Sequence, residues 1–315
     1  MTRVSVIIAT RNRCELLPRA VESARRAGDD VEIVVVDDAS EDKTADVCAR
    51  WSNDRLIRCV RATRHLGPGG ARNVGLLSST SPYISFLDDD DVRLPGSLNE
   101  QLSQLETDAT AGMIYGRALY GDRNCQPTGR SYPEQCPQGD LFWELLRWNF
   151  IPCPTVVFRR ACLTRIGMLE GDAPGIEDWD LWVRIAEMYP VLATEEPVAI
   201  WRQPDPSSQQ FTSTGERLHR EARRLHKHNW LRLPRAAQAT AEQRRATRRA
   251  FAAYASQQLV WEAASSLKAK QLPAFARVAI AGARMYPFGV SRKILNATTW
   301  NSPANSLGNN QVRDE

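Results

Sequence analysis

The chain has 315 residues, enough for one large domain or two modest ones with a substantial core. Its 43% hydrophobic and 25% charged residues fit a globular protein, and 18 Gly with 18 Pro exclude collagen-like and broadly disordered chains. No apolar run approaches the roughly 18 residues of a membrane span, MTRVSVIIAT carries no signal-peptide cleavage site, and seven cysteines without a CxxC pair read as reduced thiols. These features argue against a secreted disulfide scaffold, an integral membrane protein and a zinc module, and for a cytoplasmic protein. The net charge of +4 hides a split: through Gly215 there are 23 basic against 31 acidic residues, and from Glu216 onward 18 against 6. An acidic first two-thirds followed by a basic last third implies a division of labour.

In chain order, Val4 to Ala9 reads as a buried strand, Glu15 to Ala27 as a helix, and Val31 to Val36 as a second apolar β-branched strand. A short helix over Thr44 to Trp51, a strand over Leu56 to Val60, a helix over Gly69 to Ser79 and a strand over Tyr83 to Leu87 follow. Buried strands alternating with helices predict an α/β domain, a mostly parallel sheet with helices on both faces, whose ligands bind beyond the carboxyl ends of the strands. Further along, Leu141 to Trp148 reads as an aromatic-rich helix, Thr155 to Phe158 as a strand and Trp179 to Met188 as a helix. QPDPSSQQFTST (Gln203 to Thr214) reads as a linker. Beyond it the pattern is wholly helical. Phe251, Tyr254, Leu259 and Trp261 predict one packing stripe, and Leu272, Phe275, Ala279, Ala283 and Tyr286 another, with Pro273 at a helix start and Pro287 at a stop.

Four segments carry chemistry. FLDDDD (Phe86 to Asp91) delivers four carboxylates directly after a buried strand, an arrangement costly to hold together without a cation. VVVDDAS (Val34 to Ser40) brings Asp37 and Asp38 to the same sheet edge, where a carboxylate accepts from the N–H of a base or from a ribose hydroxyl; its bland reading is a helix cap. GPGGARNVG (Gly67 to Gly75) allows close backbone approach with Arg72 near a helix start, which suits a diphosphate. GIEDWDLWVRI (Gly175 to Ile185) sets Asp178 at a helix start beside Glu177, Trp179 and Asp180, where like charges and an aromatic neighbour raise a carboxylate toward the range of a general base.

In this order, and with VSVIIATRNR at the first strand and the Pro and Leu after the acidic run, these segments resemble the family-2 glycosyltransferases of GT-A fold. The resemblance covers residues 3 to 203. It implies inverting, metal-dependent transfer from a nucleotide-diphosphate sugar, with UDP the expected nucleotide, to a hydroxyl of a glycan or lipid-linked acceptor. By position, Asp38 would read the base, with Ala9, Thr10 and Arg11 cradling base and ribose and Asp89 turned to the ribose. Asp88 and Asp90 would serve Mn²⁺ or Mg²⁺, Arg72 the diphosphate, and Asp178 catalysis as the base.

One departure concerns the aromatic-Arg-x-His element of many relatives, which here reads WRQP (Trp201 to Pro204) and lacks the His. His219, His226 and His228 follow on a basic helix and read as solvated. QQLVW (Gln257 to Trp261) lacks the Arg of the processive synthases' QxxRW and reads as packing. The expected domains are 1–214 as the GT-A domain, 215–298 as an all-α C-terminal region and 299–315 as a disordered tail. The basic helices suit an anionic membrane surface better than nucleic acid, for which no recognition motif is present. Two other readings compete: a catalytically silent nucleotide-sugar-binding or scaffold protein, favoured by the missing His, and a nucleotidyltransferase, disfavoured because ATRNRCE offers only Arg11 and Arg13 to a triphosphate.

Overall fold

Four strands form the parallel half of the sheet in this computed structural model, which describes residues 2–171, 173, 175–203, 215–268 and 270–286. They are β1 (Val4–Thr10), β2 (Val31–Asp37), β3 (Ile57–Arg61) and β4 (Tyr83–Phe86), lying side by side in the order β3-β2-β1-β4. Val6, Ile7 and Ile8, successive along β1, are all fully buried. A strand covered on both faces is apolar at most positions, which is why β1 and β2 read as apolar runs and not as alternation; the buried exceptions, Ser5 and Glu32, satisfy each other through a 2.6 Å hydrogen bond from Ser5 Oγ. The crossovers are α1 (Leu17–Arg26), α2 (Thr44–Ala49) and α3 (Gly67–Ser78). A Cβ on Gly75 would collide with Ile7, so α3 lies directly on β1. Thr10 pairs with Asp37 and Ile7 with Phe86, so the strands deliver their polar carboxyl-end residues to one edge.

The sheet then changes character. β5 (Val92–Arg93), β6 (Met113–Gly121), β7 (Pro127–Tyr132), β8 (Val157–Arg159) and β9 (Val191–Arg202) extend it as β4-β8-β6-β9-β5, with β7 on β6. Only β6 and β9 are parallel in this half; the other pairs are antiparallel. The sheet is therefore parallel through β4 and mixed beyond it. The helices of this stretch are α4 (Ser97–Thr107), α5 (Phe142–Leu145), α6 (Leu163–Ile166) and α7 (Glu177–Met188). β6 and β9 escape the periodicity reading because Gly116 and Arg117 interrupt one, and Glu195, Glu196 and Pro197 the other. Their register shifts at those residues.

The chain forms two compact units: Met1–Leu141 with Phe150–Asp205, and Phe142–Asn149 with Pro206–Glu315. The second is helical, with α8 (Gly215–His228), α9 (Pro234–Gln238), α10 (Ala241–Lys268) and α11 (Leu272–Met285). Thr247, Phe251, Ala255, Leu259 and Ala263 form the buried stripe of α10 at four-residue steps. The expected stripe is corrected at Trp261, which lies about 200° around the helix from Leu259 and is 41% exposed. His226 also departs from its solvated reading. It is 4% exposed, stacked on the Phe251 ring at 4.2 Å, with Trp230 edge-on at 6.2 Å. It shares the inner face of α8 with Ala222, four residues before it, and with the adjacent Leu225, and there it serves as an aromatic plate. The linker reading for 204–214, the stop at Pro287 and the tail over 299–315 lie outside the described residues.

Candidate active site

At the edge of the sheet unit, the loops after β1 and β2 are tied together. Asp38 N–H donates to the Thr10 carbonyl at 2.9 Å, Asn12 N–H to Ser40 Oγ at 3.0 Å, and Glu41 N–H to Asn12 Oδ1 at 2.7 Å. Ala9 is half-buried and Thr10 buried, and of the three only Arg11 is exposed. Asp37 has a structural role: it accepts from Ser40 N–H at 2.8 Å and from Arg61 at 3.0 Å, closing the turn. Asp38 is 4% exposed and reaches the segment before α3. Its Oδ1 accepts from Leu66 N–H at 2.7 Å, and its Oδ2 accepts from Gly67 N–H at 3.0 Å and lies 2.7 Å from His65 Nδ1.

The acidic run after β4 divides into distinct environments. Asp88 is the open one, its side chain 41% exposed. Asp89, Asp90 and Asp91 are buried. Asp89 is 2.7 Å from Arg13. Burial, opposed by Arg13 and reinforced by Asp90, pushes its carboxyl up to about 6. Asp90 Oδ2 is 3.3 Å from Arg13 and 3.4 Å from Arg202. Asp91 accepts the Arg202 backbone N–H at 2.9 Å, and burial with Asp90 and Asp88 beside it raises its carboxyl well above the usual range. The guanidiniums of Arg13 and Arg202 thus stand around Asp90 in the chain that lacks the expected His. Neither arginine was assigned a site role from the sequence; the motifs ATRNR and WRQP contain them but do not report what they touch.

Arg72 lies deep in the unit, 5% exposed, above the Phe86 ring. It bridges Asp88 at 2.5 Å and Glu177 at 2.7 Å. Glu177 is 3% exposed and also accepts from Gly175 N–H at 2.5 Å; burial, opposed by Arg72, raises its pKa. The buried pairing of Glu177 with Arg72 spans 105 residues and leaves no local pattern in the sequence. Next to it, the half-buried Asp178 accepts from Trp179 N–H at 2.6 Å. Burial, reinforced by Glu177 and opposed by Arg72, pushes the Asp178 carboxyl up to about 7. Asp180, 1% exposed, pairs with Arg184 at 2.8 Å and belongs to the scaffold.

The carboxylates at the strand ends are thus joined through the buried Arg72 to Glu177, whose chain neighbour Asp178 is the carboxyl pushed up to about 7. Among the described residues no three His, Cys, Asp or Glu side chains converge as a ready-made metal cage. All seven cysteines are free thiols.

A parallel β3-β2-β1-β4 half, a mixed second half and an acidic turn after β4 define a GT-A glycosyltransferase fold. The chain belongs to glycosyl transferase family 2, whose profile matches residues 5–166, and it is a glycosyltransferase. Over 187 residues it is 31% identical to the UDP-Glc:alpha-D-GlcNAc-diphosphoundecaprenol beta-1,3-glucosyltransferase WfaP of Escherichia coli, a match spanning 59% of this chain and 70% of that one. Among solved structures it resembles the mannosyltransferase PcManGT from Pyrobaculum calidifontis in complex with GDP-Man and Mn²⁺. That likeness has a TM-score of 0.56 and 22% identity over 95% of this chain and 84% of that one. S. aureus TarS 1-349 in complex with UDP-GlcNAc matches with a TM-score of 0.52 and 14% identity over 90% and 91%.

Proposed function

We propose that this glycosyltransferase moves a sugar from a UDP-sugar donor to a hydroxyl of a glycan or lipid-linked acceptor with inversion, using Asp178 as the base. The observation that carries this reading is the environment of Asp178, which stays protonatable near pH 7 at the start of α7 while Arg72 links its neighbour Glu177 to Asp88. An acceptor hydroxyl is a poor nucleophile and must lose its proton as it attacks. A carboxylate of pKa near 7 takes that proton at neutral pH with useful driving force. One carboxylate suffices, because inversion needs no covalent intermediate.

On the donor side, we assign Asp38 to the base, Ala9 to Arg11 and Asp89 to the base and ribose, and Asp88 and Asp90 to a divalent cation. Exposed Asp88 and buried Asp90 suit a cation that takes one or two carboxylate oxygens and completes its shell from phosphate. Mn²⁺ or Mg²⁺ there would act as a Lewis acid, neutralising charge on the departing diphosphate. Arg72, already held by two carboxylates, keeps Asp88 in place, and Arg13 and Arg202 are the guanidiniums nearest Asp90 for phosphate oxygens. We assign residues 1–214 to the catalytic domain, 215–298 to an appended helical region and 299–315 to a tail.

The relatives support the substrate class. The E. coli protein's name specifies a UDP-glucose donor and a diphosphoundecaprenol-linked acceptor, TarS was solved with UDP-GlcNAc, and the Pyrobaculum enzyme with GDP-Man and Mn²⁺. A thermal-shift panel of UDP- and GDP-sugars with and without Mn²⁺ tests the reading, because a bound donor raises stability by mass action. The expected result is a shift with UDP-sugars that grows with Mn²⁺ and vanishes in Asp90→Asn. Stabilisation by GDP-sugars alone, or an unchanged response in Asp90→Asn, would remove the donor and metal assignments respectively.

A further inference from the structure

We infer that the end of the α10–α11 hairpin is a membrane-contact surface that inserts apolar side chains between the headgroups of an anionic bilayer. The inference stands apart from the chemistry of the sheet unit and rests on the helical unit alone. The described residues contain eight exposed large apolar side chains: Leu56, Leu77, Met168, Met188, Trp261, Leu267, Leu272 and Ile280. Half of them fall between residues 261 and 280, Trp261 and Leu267 on α10 and Leu272 and Ile280 on α11. Leu267 (45%) and Leu272 (62%) flank that turn directly, and Trp261 and Ile280 lie within about 10–14 Å of it along their helices. An isolated exposed leucine needs no explanation; two exposed leucines on either side of one turn, with Trp261 and Ile280 exposed further along the same helices, do.

The turn carries two lysines and is closed by two backbone hydrogen bonds. Lys270 N–H donates to Leu267 O at 3.0 Å and Gln271 N–H to Ser266 O at 2.9 Å, the pair of bonds of a Schellman motif. Lys270 occupies the left-handed position (φ 58°) where glycine is favoured. The hydrogen-bonded closure holds Leu267 and Leu272 outside the hairpin's own core. Lys268 and Lys270 are two of only five lysines in the chain, and between 261 and 286 the basic residues Lys268, Lys270, Arg277 and Arg284 face a single acidic one, Glu262. Lysines at the turn between two exposed leucines complement a surface with negative headgroups over an apolar interior. Among the described residues no helix is long and apolar enough to cross a membrane, so the contact is interfacial.

The experiment is co-sedimentation of the full chain with vesicles of phosphatidylcholine alone and of phosphatidylcholine with 30% phosphatidylglycerol. Alongside it run the double variant Leu267→Asp/Leu272→Asp, the double variant Lys268→Glu/Lys270→Glu, and Leu77→Asp as a control for exposed apolar surface in the sheet unit. Wild type and Leu77→Asp should bind the anionic vesicles alike. The leucine variant should lose about tenfold or more per site, and the lysine variant about fivefold or more per site, with unchanged circular dichroism. The lysine variant alters only exposed side chains, so it keeps the question decidable should the leucine variant misfold. Equal binding to both vesicle types, or anionic binding untouched by the lysine variant, would overturn the inference. So would a wild-type dimer that ignores vesicles and dissociates in the leucine variant, since a second copy would then be the occupant.

Discussion

Asp178 carries opposite consequences for catalysis and for stability. In the role of base proposed for it, it must be deprotonated, so kcat/KM should rise about tenfold per pH unit up to about pH 7 and level off above it. Because Glu177 is a close neighbour, the limb belongs to the pair and not to one residue. For stability, the native carboxyl holds its proton between about pH 4 and 7, whereas the unfolded chain has already lost it, so this group's contribution falls as pH rises through that window. Asp178→Asn removes both effects. Turnover should fall by about 10²–10⁴, while Tm at pH 8 should rise above wild type. A parallel pH series of initial rates and thermal melts checks the two together; full activity in the variant would place the base elsewhere. Asp38→Ala should weaken UDP binding by about 1–3 kcal/mol in a calorimetric titration, the worth of a hydrogen bond to a charged group. His65→Gln, which disturbs the same segment and leaves the carboxylate, should weaken it less.

Among elements, the decisive junction is between α3 and α7. Arg72 projects from the second turn of α3 and Glu177 from the first residue of α7, and both are buried. A buried pair adds little net stability over apolar residues, but removing one partner strands a charge away from water. Glu177→Gln should therefore cost about 3 kcal/mol, the low end of that penalty, because Asp88 still partners Arg72. Asp88→Asn, at a far more open carboxylate, should cost less. Urea midpoints at constant m-value give the comparison. Turnover in Glu177→Gln should drop as well, since the first turn of α7 sets where Asp178 sits.

On the scale of the whole molecule, the two compact units answer differently to acid. Burial, with Arg248 nearby, pushes His226 down to about 4, and its Nε2 is buried without a hydrogen-bond partner. The unfolded chain takes up a proton near pH 6.5 that the native helical unit refuses until about pH 4. Stability from this residue is thus complete above about 6.5 and lost as pH falls through that window, by up to about 3 kcal/mol. Amide exchange should show α8 and α10 opening between pH 7 and 5 while β1 and β2 stay protected. His226→Phe, which keeps the ring stacked on Phe251, should flatten the response. Loss of protection in both units together would show that they unfold as one.

What the sequence determined alone is the parallel half of the sheet and its chemical edge. Strands buried on both faces are mostly apolar, and parallel register then delivers Asp38 and the carboxylates of 88–91 to the same side. That inference needs only local composition, and the ordered motifs pointed to the family. The tertiary structure decided which charges meet. Arg72 and Glu177 are 105 residues apart and Arg202 and Asp90 are 112 apart, and an ion pair between distant residues leaves no periodicity to read. It also decided the mixed half, where β6 and β9 pair across register shifts that interrupt their alternation. In the helical unit it decided which aromatic groups are inside, burying His226 and exposing Trp261. Composition marks a helix face as apolar or polar, but only the neighbouring helices determine which part of that face is covered.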